Sequence, residues 1–244
     1  MAEDSGTSPT DMGVMAEVTS HVAGLESDST NGDPSPSTAL GVFLSFREAV
    51  SYRFGSSDLF GVRVHVQGLG KVGFELSKLL VSNGAMVAAS DINEDSCRRA
   101  HDELSIRIVS NDELLNGNCD VFAPCALGGV LNEWSIPALN TAVIAGAANN
   151  QLLTQEDQGR LKNAGILYCP DYLVNAGGAI KVYQRRHGAT QEHIDAEIAA
   201  IAERLKSILT EARSQRCSPE KVAQERAENL IRARQNQPIP TVAA

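Results

Sequence analysis

One βαβ unit at residues 62–91 constrains the fold of this 244-residue chain more than any other feature. Valines alternate with polar residues over 62–66, which is typical of a half-buried strand, and Gly68 ends the pattern. Apolar residues then recur at helical spacing over 72–80, and a second strand is predicted at 85–90. A helix between two strands of this spacing predicts a crossover connection in an α/β protein.

The same alternation continues along the chain to residue 170. Helices are predicted at 38–52, 95–104, 111–115, 135–139 and 154–164, and strands at 106–109, 119–124, 141–147 and 165–170. From about 189 to 233 the pattern is helical, with a second helix near 218–234. These segments predict a doubly wound, mostly parallel sheet of the Rossmann-like type, followed by C-terminal helices.

The N-terminal stretch has a different composition. Residues 27–37 read SDSTNGDPSPS, a cluster that favours turns over regular structure, so we expect a linker or hinge there. Ser37 or Thr38 is the expected N-cap of the helix that follows.

Charge and cysteine usage exclude several classes of protein. Lysine and arginine total 21 against 30 acidic residues, a formal charge of −9 that disfavours a nucleic-acid partner. The five cysteines are scattered without a C-x-x-C pair and read as small buried residues in a reducing compartment, and no metal site is expected. No apolar run reaches membrane-spanning length, and residues 1–15 contain no lysine or arginine. We therefore expect a cytoplasmic protein without a membrane partner.

The glycine-rich segment GLGKVG at 68–73 points to a dinucleotide. Gly68 suits a tight turn, Gly70 a close approach of pyrophosphate to the backbone, and Gly73 close packing of helix on strand. Asp91, eighteen residues past Gly73, ends the next strand, where a carboxylate suits the ribose hydroxyls of NAD and repels a 2′-phosphate. The competing interpretation is a glycine turn with a capping aspartate.

Three further segments end predicted strands with small or amide residues. They are PCALGG at 124–129, IAGAANNQ at 144–151 and DYLVNAGGA at 171–179. In a doubly wound sheet the carboxyl ends of the strands form the ligand crevice, so each segment is a candidate cofactor or substrate loop. Taken alone, each is equally compatible with a structural role: a tight turn, a pair of helix-capping asparagines, and a flexible loop before a helix.

Taken together, these motifs resemble the Glu/Leu/Phe/Val amino-acid dehydrogenase family, and most closely its leucine dehydrogenases. The resemblance rests on GLGKVG with Asp91, CDVFAPCALGG, IAGAANNQL, PDYLVNAGGAI, AEDSGTSPTDM at 2–12 and GDPSPSTALGV at 32–42. It implies NAD-dependent oxidative deamination of an L-amino acid to a 2-oxo acid and ammonia, in a cleft between a substrate domain and a Rossmann domain. It also implies a homo-oligomer.

The resemblance assigns roles position by position. Asp4 matches the catalytic aspartate. The cofactor positions it implies are Thr38, Gly68, Leu69, Gly70, Lys71, Val72, Gly73, Asp91, Ile92, Cys125, Ala126, Leu127, Ala147, Asn149 and Asn175. The substrate positions it implies are Ala2, Asn150, Ala179 and Val182, of which the alanines and the valine suit a dry pocket for a branched aliphatic side chain.

One departure from the family pattern bears on activity. In the family, two lysines precede the aspartate, one of them in a glycine-rich GGGKA-type segment, and no such segment occurs in these 244 residues. The resemblance therefore implies that 1–31 is a remnant of the substrate domain with a hinge, 32–217 the dinucleotide-binding domain, and 218–244 a C-terminal helix and tail. The alternative is a non-catalytic NAD-binding module or one subunit of a split enzyme.

Overall fold

The structure is a computed structural model that describes residues 6–19, 21–22, 25 and 33–235. Ala2 and Asp4 lie outside the described residues, so the roles assigned to them stay predictions. Most of the predicted hinge, from 26 to 32, also lies outside them.

A six-stranded parallel sheet forms the centre of the molecule, which confirms the predicted fold class. The strands are β1 (Arg63–Gln67), β2 (Met86–Ser90), β3 (Arg107–Ile108), β4 (Val121–Pro124), β5 (Val143–Ile144) and β6 (Leu167–Tyr168). Their spatial order is β3-β2-β1-β4-β5-β6, so the direction of winding reverses between β1 and β4. A crevice for ligands forms at such a reversal, beyond the carboxyl ends of the two strands.

Ten α-helices surround the sheet in the described part of the chain. They are α1 (Pro9–Ala16), α2 (Ser35–Phe54), α3 (Lys71–Ser82), α4 (Glu94–Leu104), α5 (Asn111–Asn116), α6 (Glu156–Asn163), α7 (Asp171–Val174), α8 (Gly177–Arg186), α9 (Gln191–Gln215) and α10 (Pro219–Gln235). A short 3-10 turn occupies Ile136–Ala138.

The core lies on both faces of the sheet because successive side chains of a strand point to opposite faces. On β4, Val121 belongs to the cluster formed with α2, α3 and α9, whereas its neighbour Phe122 belongs to the cluster beneath α5 and α6. Both residues are fully buried. Burial on two faces explains why β4 reads as a continuous apolar run.

The sequence prediction was wrong at the start of the chain in two respects. Helix α1 was not predicted, although Ser8 and Asp11 form a capping box in which the Ser8 N–H donates to Asp11 Oδ2 at 2.8 Å. Helix α2 begins at Ser35, not after Ser37 or Thr38, because a proline in the first helical turn needs no hydrogen-bond partner for its nitrogen.

Other corrections concern element lengths and burial. The predicted helix at 135–139 is the 3-10 turn, and the strand predicted at 141–147 pairs only over Val143–Ile144. Of the five cysteines predicted to be buried, only Cys119 and Cys169 are; Cys97, Cys125 and Cys217 are partly exposed. No helix among the described residues is long and apolar enough to cross a membrane.

Candidate active site

A cleft of about 1030 Å³ lies at the point where the winding reverses. Eleven of the residues singled out in the sequence line it: Thr38, Gly70, Lys71, Val72, Cys125, Ala126, Ala147, Asn149, Asn175, Ala179 and Val182. The start of α2 and one face of α8 contribute to one wall, and the strand-end loops contribute to the other. The fold therefore brings together segments that are more than 100 residues apart.

Three glycines shape the loop between β1 and α3. Gly68 has a φ of +99°, and a Cβ atom there would lie 2.7 Å from the backbone nitrogen of Ala126. A Cβ atom at Gly73 would lie 2.0 Å from the Gly68 oxygen, so only glycine lets the helix sit this close to the loop. Gly70 is the N-cap of α3 without a side-chain cap, and a Cβ atom there would meet nothing within 4 Å.

The geometry of this loop fits a dinucleotide phosphate. Backbone N–H groups in the first turn of a helix have no intrahelical acceptor, and the helix dipole adds positive potential at that end. At α3 no side chain caps them, and Gly70 and Lys71 both face the cleft. Such an end of a helix is a ready anion site.

Asp91 holds the loop between β1 and α3 by a hydrogen bond. Its Oδ2 atom accepts a hydrogen bond from the Leu69 N–H at 2.5 Å, and its Oδ1 atom accepts one from the Asn93 N–H at 2.8 Å. Asp91 was interpreted either as a ribose ligand or as a capping aspartate. The structure shows the hydrogen bonds of the capping role directly. Each carboxylate oxygen has a further lone pair, so the bonds leave acceptor capacity for a ribose hydroxyl.

Seven predicted positions do not line the cleft. Gly68, Leu69, Gly73 and Asp91 build the loop beneath it, and Ile92 and Leu127 are exposed apolar side chains; Asn150 faces elsewhere. Cys125 does line the cleft, but burial raises the pKa of its thiol to about 12. The sulfur therefore remains protonated and acts as a neutral part of the wall.

The two asparagines that share the cleft are hydrogen-bonded to each other. The Nδ2 atom of Asn175 donates to Asn149 Oδ1 at 2.6 Å and to the Ala147 carbonyl oxygen at 3.2 Å. A Cβ atom at Gly128 would lie 2.5 Å from the Asn149 carbonyl oxygen, so the PCALGG loop packs directly on the asparagine loop. Gly128 therefore allows the two loops to pack closely on each other.

Asn150 turns away from the cleft into a second, smaller cavity of about 260 Å³. Its backbone has a φ of +52°, a left-handed conformation that asparagine adopts more readily than most residues. Tyr172 lines both cavities and so forms the partition between them. Glu220, from the first turn of α10, lies in the smaller cavity, where burial and the nearby Asp171 charge raise its pKa to about 7.

The glycine pair at the start of α8 serves helix packing. A Cβ atom at Gly177 would lie 2.0 Å from the Ser37 carbonyl oxygen, and one at Gly178 would lie 2.4 Å from Thr38 Oγ1. Gly177 therefore packs against α2 and is not among the residues that line the cleft, whereas Gly178 is. They allow α8 to approach the first turn of α2, which places Thr38 in the cleft.

No role was assigned from the sequence to ten of the residues that line the cleft: Gly6, Thr7, Pro34, Ser35, Ala148, Tyr172, Ala176, Gly178, Tyr183 and Arg186. Tyr183 and Arg186 follow Ala179 and Val182 along one face of α8, at the spacing of three and four residues that marks a helical face. Residues 181–186 form the C-terminal part of α8, which begins at Gly177. Apolar or long side chains at this helical spacing are the sequence signal that could have identified the face.

Comparison with known proteins agrees with this geometry. The family model Glutamate/Leucine/Phenylalanine/Valine dehydrogenase matches residues 93–237, which is more than half of the chain. The chain belongs to this family. Its members are NAD(P)-dependent dehydrogenases. The described residues contain no group of three or more side chains suited to hold a metal ion.

Individual relatives show the same pattern. Leucine dehydrogenase of Geobacillus stearothermophilus is 36% identical over 238 residues, which cover 96% of this chain and 65% of that protein. L-tryptophan dehydrogenase of Nostoc punctiforme is 37% identical over 230 residues, covering 94% of this chain and 65% of the relative. The crystal structure of L-tryptophan dehydrogenase from Nostoc punctiforme superimposes with a TM-score of 0.83 at 34% identity, covering 97% of this chain and 68% of that one. The chain thus spans about two thirds of the length of its relatives.

Proposed function

We propose that this chain contributes the dinucleotide-binding part of an enzyme that oxidatively deaminates an L-amino acid with NAD. The observation that carries the proposal is the joining of the uncapped end of α3 to the asparagine pair in one cleft. When bound, NAD supplies the acceptor for the hydride that leaves the α-carbon of the substrate. We propose NAD over NADP because Asp91 stands where a 2′-phosphate would come, flanked by Ser90, Ile92 and Asn93 without a basic side chain.

Different residues of the chain bind the two ends of the cofactor. Gly70 and the first turn of α3 bind the pyrophosphate, and Thr38 together with Asn149 and Asn175 holds the nicotinamide amide. The Thr38 hydroxyl lies 3.2 Å from the Pro34 carbonyl oxygen, to which it donates, so its oxygen remains available as an acceptor. Asp4, outside the described residues, is proposed to move a proton at the substrate amino group.

We propose a branched aliphatic substrate of the leucine type. Ala179 and Val182 present small apolar side chains to the cleft, and Ala2 is proposed to complete that wall. At these positions the wall carries no polar group, which favours an aliphatic substrate side chain over a charged one. Tyr183 and Arg186 lie farther along α8 at the same cleft and limit its size.

The two lysines that the family uses are proposed to act from sequence that is not among these 244 residues. The same proposal makes 1–31 a part of the substrate domain, 32–217 the dinucleotide-binding domain and 218–244 a C-terminal extension. The whole enzyme is proposed to be a homo-oligomer. The alternative is a non-catalytic NAD-binding module or one subunit of a split enzyme.

Two measurements test the proposal. Calorimetry on the 244-residue chain is expected to show binding of NAD, and the absence of binding would contradict every version of the proposal. NADH formation is then followed at alkaline pH with leucine, valine, isoleucine and phenylalanine, with and without an added N-terminal segment that bears the two lysines. Turnover only with the segment, fastest for the branched substrates, is expected. Binding without turnover in either case favours the non-catalytic alternative.

A further inference from the structure

Asp171 is a buried carboxylate that joins two loops of the cleft without lining the cleft itself. Its side chain is part of a residue only 7% exposed. The Oδ2 atom accepts a hydrogen bond from the Gln151 N–H at 2.9 Å, and the Oδ1 atom accepts one from the Tyr172 N–H at 2.7 Å. The first bond crosses from the end of β6 to the loop that follows β5.

The loop that contains Gln151 is also held by hydrogen bonds of its own. Gln151 is fully buried, and its Nε2 atom donates to the carbonyl oxygens of Gly146 at 2.9 Å and Ala148 at 3.0 Å. These bonds fold the segment 146–151 back on itself, with Asn150 in the left-handed conformation just before the bond to Asp171. Asn149 is thereby held at the tip that faces the cleft.

The bonds close into a ring on the other side. The Asn175 N–H donates to the Asp171 carbonyl oxygen at 2.9 Å, and the Asn175 side chain donates to Asn149 Oδ1 at 2.6 Å. The ring therefore begins at Asp171 and passes by a hydrogen bond to Gln151, and the chain leads from Gln151 to Asn149. A hydrogen bond joins Asn149 to Asn175, and another joins Asn175 back to Asp171. The hydrogen bonds described between the two loops involve either the Asp171 side chain or the Asn175 side chain.

Stability alone does not account for a carboxylate here. Both acceptor bonds come from neutral backbone amides, and no ion pair to Asp171 exists among the described residues. Glu220, another acid, lies in the adjacent cavity. A buried charge without a cation is costly, which favours a role other than holding the fold together.

We infer that Asp171 is a positioning residue for the nicotinamide end of the cofactor site: it sets the Asn149–Asn175 pair through the β5 loop and α7. The inference rests on the proposed function, because the asparagine pair is taken to meet the nicotinamide. It separates the two ends of the site, since the loop between β1 and α3 makes no hydrogen bond to Asp171 among those that the described residues show.

The test compares two ligands that differ only at the nicotinamide end. NADH carries the nicotinamide, whereas ADP-ribose lacks it and binds through the adenosine and pyrophosphate alone. Asp171→Asn keeps the size of the side chain but replaces one acceptor oxygen by an NH2 group, so the side chain can no longer accept from both the Gln151 and the Tyr172 N–H groups. We expect NADH binding to weaken about tenfold and ADP-ribose binding to stay within about twofold of the unsubstituted chain. The fluorescence of bound NADH is expected to shift towards that of free NADH.

Asp157→Asn is the matched control. Asp157 is as buried as Asp171, accepts a backbone N–H bond from Thr154 at 2.8 Å, and lies on α6 outside both cavities. This variant is expected to lower the melting temperature without changing the NADH to ADP-ribose ratio. Asp171→Glu, which restores both acceptor oxygens, is expected to recover part of the NADH affinity and serves as the test if Asp171→Asn does not fold.

The outcomes distinguish a failure of the inference about Asp171 from a failure of the proposed function. An unsubstituted chain that binds neither ligand overturns both. Tight binding of both ligands by the unsubstituted chain, with an NADH to ADP-ribose ratio unchanged in the Asp171 variants, overturns only the inference. An equal loss for both ligands in the Asp171 variants also overturns it, because the residue then supports the whole fold and not one end of the site.

Discussion

The Oδ2 atom of Asp91 lies 2.5 Å from the backbone nitrogen of Leu69, so the residue proposed to read the ribose also holds the phosphate loop. The two are 22 positions apart in sequence and meet because β1 and β2 are adjacent parallel strands. In the proposed function, one carboxylate thus couples cofactor selection to the geometry of the loop.

Asp91→Asn separates these two roles. The amide has one acceptor oxygen, so one of the bonds to Leu69 and Asn93 is lost, and the negative charge disappears. We expect NAD binding to weaken about tenfold and the ratio of NAD to NADP affinity to move towards NADP by at least about tenfold. Titration calorimetry with both cofactors measures the change.

The control removes the same charge from a nearby exposed position. Asp95→Asn, on the first turn of α4 with a side chain 85% exposed, is expected to leave the NAD to NADP ratio unchanged. If the unsubstituted chain binds NADP as tightly as NAD, Asp91 does not select the cofactor.

Gly73→Ala tests the packing of α3 on the phosphate loop. The added methyl group would lie 2.0 Å from the Gly68 oxygen, so the helix has to move away from the loop. We expect a loss of about 2–3 kcal/mol in the free energy of unfolding, measured by urea denaturation, together with loss of NAD binding. Gly159→Ala, within α6, is the control, because a methyl group there meets nothing within 4 Å and an alanine stabilises a helix by about 0.5–1 kcal/mol.

Gly177→Ala tests the junction of α8 with α2. The methyl group would lie 2.0 Å from the Ser37 oxygen and 3.2 Å from the Thr38 nitrogen, so α2 is pushed away from the cleft. We expect the free energy of unfolding to fall by about 2 kcal/mol. We also expect weaker binding of NADH, measured by the fluorescence of the bound cofactor. Gly13→Ala in α1, where the methyl group is unobstructed, is the control: it is expected to cause no loss of stability and no change in NADH binding. Unchanged NADH binding by Gly177→Ala would mean that the junction does not position Thr38.

Glu220 predicts a pH dependence of stability. Its pKa in the folded chain is about 7, raised above the ordinary value of 4.5 first by burial and then by the Asp171 charge, while Tyr172 bonds to it and lowers the pKa. The Tyr168 and Tyr172 hydroxyls also face this charge, and their own pKa values are raised. The folded state therefore binds the proton more tightly than the unfolded state, and stability falls as the pH rises from about 4.5 to 7.

Glu220→Gln removes this loss. After allowance for solvent screening, we expect the variant to be more stable than the unsubstituted chain by about 1 kcal/mol at pH 8 and nearly equal to it at pH 4. Urea denaturation across this range measures the difference. Glu225→Gln, farther along α10 and exposed, is the control and should follow the unsubstituted chain at every pH. Parallel stability profiles for Glu220→Gln and the unsubstituted chain would contradict the assignment.

Local patterns were enough to predict the parts of the site that lie within one βαβ unit. The valine alternation, the three glycines and Asp91 fall within 30 residues, so their pattern and spacing can be recognised within one short stretch of sequence. Helix α1 also carries such a signal in its Ser8–Asp11 capping box, but the serine- and proline-rich composition around it favoured a prediction of irregular structure.

By itself, then, the sequence determined the order of strands and helices, the dinucleotide loop and the family, because backbone sterics and side-chain periodicity act over short stretches of chain. Only the tertiary structure decided which strand ends meet. The ring through Asp171, Gln151, Asn149 and Asn175, the partition formed by Tyr172, and the turning of Asn150 into the second cavity all join loops whose separation is set by the sheet. Such contacts depend on strand order and on close approaches such as that of Gly177 to Ser37, which no local pattern encodes.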